Sequence, residues 1–276
     1  MPTETSLLSE MAYALGTHAL AAFVLTLVLL CWTVAGAWGF SRHYWIPRIR
    51  TSMPPGLLLA VHLVFGFALV VLAALAFGLL AMGIGDGGTV AQLDTVLTNA
   101  IRASTGPRTL QAFALITHFG DSATLLTLGL VVAIVLPLLG REWLVLPWVA
   151  ALLGNALLGA LLKSLFARAR PLFDHSLTYT HGWSFPSGHA SGAVVAYGML
   201  AYLLLRVMPG RWMAVAGLPV VLAATGIAFA TASSRVFLQV HYASDVLAGC
   251  ASGLAWLLVC IAGVELTRHA VRIRSA

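Results

Sequence analysis

Two histidines in the second half of the chain stand in short polar segments between long apolar runs. His189 follows Pro-Ser-Gly immediately before an apolar stretch, and His241 precedes Asp245 by four residues. A spacing of four brings a carboxylate and an imidazole to one face of a helix, where the carboxylate orients the ring for nucleophilic or acid–base chemistry. These residues could therefore supply a nucleophile, its orienting group and a proton donor.

Three basic residues occupy the same polar segments. Lys163, the one lysine of the chain, precedes Arg170 by seven residues, so two helical turns let both side chains point to one side. Arg235 belongs to the segment of the second histidine. The turn at Ser187 and Gly188 leads into an apolar helix, whose N-terminus presents free N–H groups to a phosphate. Singly, a basic residue at a span end is an interfacial anchor; together, these groups match the requirements of phosphoryl transfer to a histidine.

The segments that must position these residues are long and apolar. Of the 276 residues, 60% are hydrophobic and 9% charged, which places the chain in a bilayer rather than among soluble domains. A span needs about 20 apolar residues, and seven runs qualify: roughly 14–38, 57–82, 122–139, 143–162, 191–208, 212–232 and 242–263. We expect an all-α, polytopic membrane helix bundle with a six-helix core and one extra N-terminal transmembrane helix. The expected divisions are 1–56 for the extra helix and its loop, 57–264 for the membrane domain and 265–276 for the tail.

The arginines indicate the topology. Nine of them fall in alternate connections and in the tail: Arg42, Arg48, Arg50, Arg141, Arg206, Arg211, Arg268, Arg272 and Arg274. The positive-inside rule makes these segments cytoplasmic, which puts an amphipathic stretch from Gln92 to Arg102 and the polar segments of both histidines outside. We therefore expect a multi-pass inner (plasma) membrane protein with an active site facing the periplasm or exterior. Topology and a cationic site account for the net charge of +6, so we expect no nucleic-acid partner, and the oligomeric state is open.

The three polar segments resemble the signatures of the type-2 phosphatidic acid phosphatase (PAP2) superfamily. These are Lys-x6-Arg-Pro beginning at Lys163, Pro-Ser-Gly-His ending at His189 and Ser-Arg-x5-His-x3-Asp ending at Asp245. They occur in the family's order, and the resemblance covers about residues 57–263. It implies the membrane-bound lipid phosphatase branch, a six-helix core, and a metal-independent phosphatase without a cofactor.

The resemblance also implies a role for each residue. His241 would attack the phosphorus and form a phosphohistidine, with Asp245 orienting it. His189 would protonate the leaving oxygen and then activate water. The phosphate oxygens would be held by Lys163, Arg170, Ser187, Gly188 and Arg235. Arg168 is a further candidate that the family pattern does not require.

A metal site is a competing interpretation of one loop. Asp174, His175 and His181 precede the second signature and could form a metal cluster. Their spacing matches none of the standard zinc patterns, and the other interpretation is a hydrated loop at the mouth of the site. We expect no metal.

The function classes left open by the motifs differ in what happens to the bound phosphate. A lipid phosphate phosphatase hydrolyses it, a lipid phosphotransferase passes it to another acceptor, a lipid-phosphate binding or transport protein only holds it, and a vanadium-dependent haloperoxidase binds vanadate in its place. An outward-facing site favours lipids of the outer leaflet, so a polyprenyl diphosphate such as undecaprenyl diphosphate is preferred. Phosphatidylglycerophosphate, phosphatidic acid and lipid A phosphate offer the same phosphate group and stay open.

Overall fold

The computed structural model describes residues 4–45, 47–48, 54–85, 87–171 and 182–274. These described residues form helices and contain no strand, which confirms the all-α bundle. Among the described residues, ten α-helices have ten or more residues: α1 (Glu4–Thr17), α2 (Ala19–Phe40), α3 (Pro55–Gly83), α4 (Thr89–Ser104), α5 (Pro107–Ile116), α6 (Ser122–Leu138), α7 (Val145–Phe166), α8 (Gly188–Val207), α9 (Gly210–Phe237) and α10 (Ala243–Arg274). Short 3-10 turns, Thr117–Gly120 and Glu142–Leu144, precede α6 and α7.

The helices that could cross a membrane correspond in order to the predicted runs. In the described part of the chain, six are long and apolar enough by themselves, and a bent pair, Pro107–Gly120 with Ser122–Leu138, makes a seventh if it is counted as one span across its 42° bend. The predicted start of the first run at residue 14 is wrong. His18 leaves helical geometry (φ −110°, ψ 27°), so that α1 ends before it and α2 begins at Ala19.

Helix α8 lies at the centre of the bundle and is its most buried helix. Its buried face is rich in small residues, which lets neighbouring helices approach closely. On α10, a Cβ atom at Gly249 would lie 2.5 Å from the carbonyl oxygen of Ser187, and one at Gly253 would lie 2.8 Å from that of Ser191. The two helices therefore touch backbone to backbone, and this contact fixes the start of α8 against the start of α10.

Hydrogen bonds from two tryptophans connect α6, α7 and α10 in the deeper half of the bundle. The indole N–H of Trp148 on α7 donates to the carbonyl of Gly129 on α6 at 2.9 Å, and that of Trp256 on α10 donates to Ala151 on α7 at 2.9 Å. An indole buried in an apolar bundle needs such an acceptor. Helices α6 and α7 are thereby held side by side and against α10.

The predicted amphipathic stretch is confirmed as helix α4. Its buried face includes the apolar Ala100 and Ile101, but also Asp94 and Thr98. Helix α1 packs along it, with the hydroxyl of Ser104 donating to the Gly16 carbonyl at 2.9 Å. Because α4 also contacts α10, its buried polar face reaches the end of the bundle where the histidines lie.

Candidate active site

The three polar segments meet at one end of the bundle, where α7 and α9 end and α8 and α10 begin. A cavity of about 780 Å³ opens there. Its polar end is lined by six of the predicted site residues: Lys163, Arg170, Gly188, His189, Arg235 and His241. The remaining three, Asp245, Ser187 and Arg168, lie behind this lining.

His241 is buried, with 2% of its side chain exposed. Its Nε2 lies 3.0 Å from Nη1 of Arg170, and its Nδ1 lies 3.4 Å from Oδ2 of Asp245. A guanidinium only donates, so Nε2 is the acceptor and Nδ1 carries the hydrogen. Burial, opposed by Asp245 and supported by the nearby arginines, lowers the pKa of His241 to about 3. The imidazole is therefore neutral, with its lone pair at the cavity.

The carboxylate of Asp245 is held by three donors besides His241. It accepts hydrogen bonds from Arg168 Nη1 at 2.6 Å, from the Tyr242 backbone N–H at 2.9 Å and from the hydroxyl of Ser184. Neither oxygen is left without a partner, and the side chain is fully buried. Asp245 is thus fixed in the orientation that presents one oxygen to His241.

Arg168 joins two carboxylates instead of lining the cavity. Its Nη2 lies 2.9 Å from Asp94 while its Nη1 contacts Asp245, and its guanidinium stacks 4.3 Å above the ring of Tyr242. Asp94 also accepts hydrogen bonds from the backbone N–H and the hydroxyl of Ser244. Burial raises the pKa of Asp94, and its bonds to Ser244 and Arg168 oppose that shift. In this geometry both terminal nitrogens of Arg168 are engaged by carboxylates, and its contact with phosphate stays a prediction.

The three cations of the cavity surround the N-terminus of α8. A Cβ atom at Gly188 would lie 3.8 Å from Nζ of Lys163, which places the ammonium beside the first turn. Arg170 is anchored by the Val240 carbonyl at 2.7 Å. Arg235 donates from Nη1 to Thr117 at 2.6 Å, while its buried Nε has no hydrogen-bond partner among the described residues. A buried donor without a partner is what a bound anion would satisfy.

Ser187 acts as the cap of helix α8. Its hydroxyl accepts from the backbone N–H of Ala190 at 3.4 Å, and its own N–H donates to the Asp245 carbonyl at 2.9 Å. The side chain is fully buried. In this arrangement the backbone of Gly188, rather than the Ser187 hydroxyl, faces the cavity.

His189 has a carboxylate partner of its own. Its Nε2 lies 2.9 Å from Oδ1 of Asp121, whose Oδ2 lies 2.7 Å from Nδ1 of His118. The exposed fraction of the side chains rises along this series, from 22% to 37% to 66%. The arrangement connects the histidine of the second signature with the protein surface.

Sequence reasoning missed Asp94 and Asp121. Both are distant in sequence from the histidines, so no local spacing points to them. The sequence holds one general indication of their importance. The chain has nine acidic residues in all, and a carboxylate within a membrane bundle needs a partner. Among the residues that the structure describes, no group of three or more His, Cys, Asp or Glu could hold a metal ion. The alternative cluster of Asp174, His175 and His181 lies outside the described residues.

Beyond its polar end, the cavity is an apolar groove between α6 and α7. Most of its wall consists of Leu125, Leu126, Leu130, Val149, Leu152 and Leu153. Leu126, Leu130 and Leu153 are each more than half exposed on the outer surface of the bundle. The groove is therefore continuous with the surface that faces the lipid, and one cavity combines a cationic end with an apolar one.

Comparison with known proteins places this site in a family. Residues 143–268 match the PAP2 superfamily. The chain is 34% identical over 139 residues to phosphatidylglycerophosphatase B of Bacillus subtilis (strain 168), covering 50% of this chain and 67% of that protein. It is 36% identical over 144 residues to decaprenylphosphoryl-5-phosphoribose phosphatase of Mycobacterium tuberculosis (strain ATCC 25618 / H37Rv), covering 50% of this chain and 71% of the relative.

A solved structure is similar over most of its length. The crystal structure of a transmembrane PAP2-type phosphatidylglycerolphosphate phosphatase from Bacillus subtilis superposes with a TM-score of 0.66 at 28% identity. The match covers 71% of this chain and 96% of that one. These similarities confirm the resemblance carried by the three signatures. The chain is a membrane-embedded phosphatase that belongs to the PAP2 superfamily.

Proposed function

We propose that the protein removes a phosphate group from a membrane lipid, hydrolysing a phosphomonoester or diphosphate through a phosphohistidine. The observation that carries this proposal is the two-part cavity, in which His241, His189 and three cations share one space with an apolar groove. A lipid phosphate has the same division into an anionic head and an apolar tail. The groove supports access from the side, because its wall reaches the lipid-facing surface.

In the first step, His241 Nε2 attacks the phosphorus. An N–P bond forms, the bond from phosphorus to the lipid oxygen breaks, and that oxygen keeps the electron pair and takes a proton from His189. Asp245 accepts the Nδ1–H of His241 and stabilises the positive charge that develops on the ring. Arg170, whose Nη1 lies 3.0 Å from Nε2 of His241, turns to a phosphate oxygen in this step.

In the second step, water replaces the imidazole. His189, now neutral, takes a proton from the water while its oxygen forms a bond to phosphorus and the N–P bond breaks. Phosphate leaves, and both histidines return to their starting states. Lys163, Arg170 and Arg235 neutralise the charge on the oxygens, which is the task that a metal performs in other phosphatases, so we propose no metal and no cofactor.

The substrate and the location are part of the proposal. The two relatives are named for a glycerophospholipid and a polyprenyl lipid, so their names support a lipid phosphate without choosing between these classes. The arginine distribution supports an inner-membrane location with the site facing the periplasm or exterior. A lipid displayed on the outer leaflet then meets the site, which keeps a polyprenyl diphosphate as the first substrate to test.

The test is phosphate release by the purified protein in detergent, in the presence of EDTA, from polyprenyl diphosphate, phosphatidylglycerophosphate and phosphatidic acid. We expect release from at least one lipid, its loss in His241→Ala, and inhibition by orthovanadate. Release by the variant at the wild-type rate would remove His241 as the nucleophile. No release from any lipid would favour a binding protein, and a labelled lipid acceptor instead of free phosphate would favour a phosphotransferase.

A further inference from the structure

We infer that Asp121 positions His189 as the proton donor to the leaving lipid oxygen and favours its protonated form, with His118 linking this pair to the surface. His118, Asp121 and His189 are called the outer relay below. The inference rests on the proposed function, because it assigns a partner to the acid of the proposed first step. Asp121 is a positioning residue in this scheme and does not touch the lipid.

The hydrogen bonds of the outer relay leave one nitrogen of His189 available. Nε2 is engaged by Asp121 at 2.9 Å, whereas Nδ1 has no hydrogen-bond partner among the described residues. When His189 is protonated, both nitrogens carry hydrogens. Nε2–H then donates to the carboxylate, and Nδ1–H is the one that can pass to an oxygen in the cavity.

Close packing holds the ring of His189 against the turn that carries Asp121. A Cβ atom at Gly120 would lie 2.9 Å from Cδ2 of His189 and 2.6 Å from Cγ2 of Thr231. Only glycine fits between these groups. The ring edge therefore lies on the backbone of the turn, directly before Asp121, and its hydrogen bond to the carboxylate follows from that position.

The same turn is fixed to the rest of the site. The hydroxyl of Tyr197 on α8 donates to the Phe119 carbonyl at 2.7 Å, and Thr117 accepts from Arg235 at 2.6 Å. The turn Thr117–Gly120 is thus tied to the helix of His189 and to a cation of the phosphate end. Asp121 is placed by the same contacts that build the cavity.

The charges around His189 require a carboxylate if the ring is to act as an acid. Burial and the positive charges of Arg235 and Lys163 disfavour the protonated ring, and the hydrogen bond and negative charge of Asp121 favour it. Each cation disfavours a second proton on the imidazole, and the carboxylate favours it. The groups that interact with Asp121 are His118, His189 and Arg235. Loss of the Asp121 charge would remove the group that favours the proton on His189, so a smaller fraction of the imidazole would be protonated when the lipid phosphate reacts.

The dependence on the leaving group distinguishes an acid from a merely structural contact. An alkyl oxygen leaves poorly without a proton, whereas p-nitrophenolate leaves well as the anion. The ratio kcat/KM reports the first step, in which the leaving group departs. A defect in proton donation therefore weakens reaction with a lipid phosphate far more than reaction with p-nitrophenyl phosphate, and a defect in packing weakens both alike.

The experiment compares Asp121→Asn with the wild type on a lipid phosphate and on p-nitrophenyl phosphate across the pH range of activity. General acid catalysis contributes about 10²- to 10⁴-fold, so we expect kcat/KM for the lipid to fall by about 30-fold or more. The alkaline limb of its pH profile should move to lower pH. For p-nitrophenyl phosphate the expected loss is about threefold or less. The matched control is Glu142→Gln, the same kind of change at an exposed residue between α6 and α7.

Three outcomes would overturn the inference. Equal losses on both substrates would make Asp121 a structural residue, and so would an alkaline limb that stays in place. Wild-type activity of Asp121→Asn on the lipid would show that His189 needs no carboxylate. In these cases the wild type still releases phosphate and the proposed function stands. If the wild type releases phosphate from neither substrate, the proposed function fails first and the inference with it.

Discussion

The two histidines of the site each face a carboxylate, but the two pairs differ in their surroundings. The inner pair, His241 and Asp245, is 2% and 0% exposed, whereas the outer pair, His189 and Asp121, is 22% and 37% exposed. Burial in a network keeps a group in one orientation and one protonation state. Exposure permits proton exchange with water. The difference fits the proposed division of labour, in which one histidine attacks and the other carries protons.

The networks behind the two carboxylates differ as well. Asp245 continues inward through Arg168 to Asp94 on α4, and each of these groups is at least nearly nine-tenths buried. Asp121 continues outward to His118, which is 66% exposed. An ion network of the inner kind is costly to break, because a charge is left buried without its partner. The proposed nucleophile, His241, is therefore held by a buried ion network, whereas the proposed acid, His189, is connected to the protein surface.

The largest expected effect is a loss of phosphate release, and its dependence on the substrate should differ between variants of the two histidines. His241→Ala should lower phosphate release from a lipid and from p-nitrophenyl phosphate alike, by about 10⁴-fold or more, because no N–P bond can form. His189→Ala should still react once with p-nitrophenyl phosphate, whose leaving group needs no proton. The second step lacks its base, so the phosphoenzyme should accumulate. The measurement is a burst of p-nitrophenolate together with acid-labile phosphate on the protein.

The control for both variants is His62→Ala, an exposed histidine of α3. Its rates should equal those of the wild type. A phosphoenzyme in His241→Ala would exchange the proposed roles of the two histidines. A burst that is absent in His189→Ala and present in the wild type would show that His189 is needed for the attack itself.

The sequence predicted the inner pair and not the outer one, for a physical reason. His241 and Asp245 are four residues apart, and the turn that leads into α10 at Ala243 is enough to bring them together. His189 and Asp121 are 68 residues apart in sequence. Their contact depends on the packing of α6 against α8 and on the room that Gly120 leaves, which no local pattern encodes.

The fold, like the site, was predicted where a local pattern encodes it and missed where packing decides it. The apolar runs predicted the spans, because each span must contain its own run of about 20 apolar residues. The break at His18 was not predicted, since the apolar run continues across it, and the separate helix α1 was not predicted, since Glu4–Thr17 is too polar to form a predicted span. Arg168 shows the limit for single residues. Its place between Lys163 and Arg170 in the first signature suggests a phosphate contact, and only the packing of α4 and α10 around it explains its ion pairs with Asp94 and Asp245.

An intermediate effect on kcat/KM and on vanadate inhibition should distinguish Lys163, a cation of the cavity, from Arg168, the cation between Asp94 and Asp245. Lys163→Ala removes one charge-assisted contact to phosphate, which costs on the order of 1.5 to 3 kcal/mol, or about 10- to 150-fold in kcat/KM. Inhibition by orthovanadate should weaken by a similar factor. Arg168→Gln should instead lower kcat and thermal stability, because Asp94 and Asp245 lose their shared partner, and should leave vanadate affinity near that of the wild type.

Vanadate inhibition and thermal unfolding in detergent are the two measurements for these variants. Arg141→Gln, at an exposed position at the far end of the bundle, is the matched control for Arg168→Gln. If Arg168→Gln weakened vanadate as strongly as Lys163→Ala does, Arg168 would be a phosphate ligand and its ion pairs secondary. If Lys163→Ala left both quantities unchanged, the ammonium beside Gly188 would not hold phosphate.

The smallest expected effect concerns the stability of the inner pair in acid. The pKa of His241 is about 3 in the folded protein, and that of an unfolded histidine is about 6.5. Above about pH 6.5 neither state binds the proton, so stability is complete. As the pH falls further, the unfolded chain binds a proton that the folded protein refuses. Stability then declines, by about 2 kcal/mol between about pH 7 and pH 5.

Replacing the titrating ring tests this origin of the acid sensitivity. His241→Gln keeps a polar side chain beside Asp245, Ser184 and Arg170 but binds no proton in this range. We expect its unfolding temperature in detergent to fall less from about pH 7 to pH 5 than that of the wild type, with His62→Gln retaining the wild-type slope. Equal slopes for all three proteins would mean that the inner pair does not keep His241 neutral, and the contrast between the two histidines would then rest on their exposure alone.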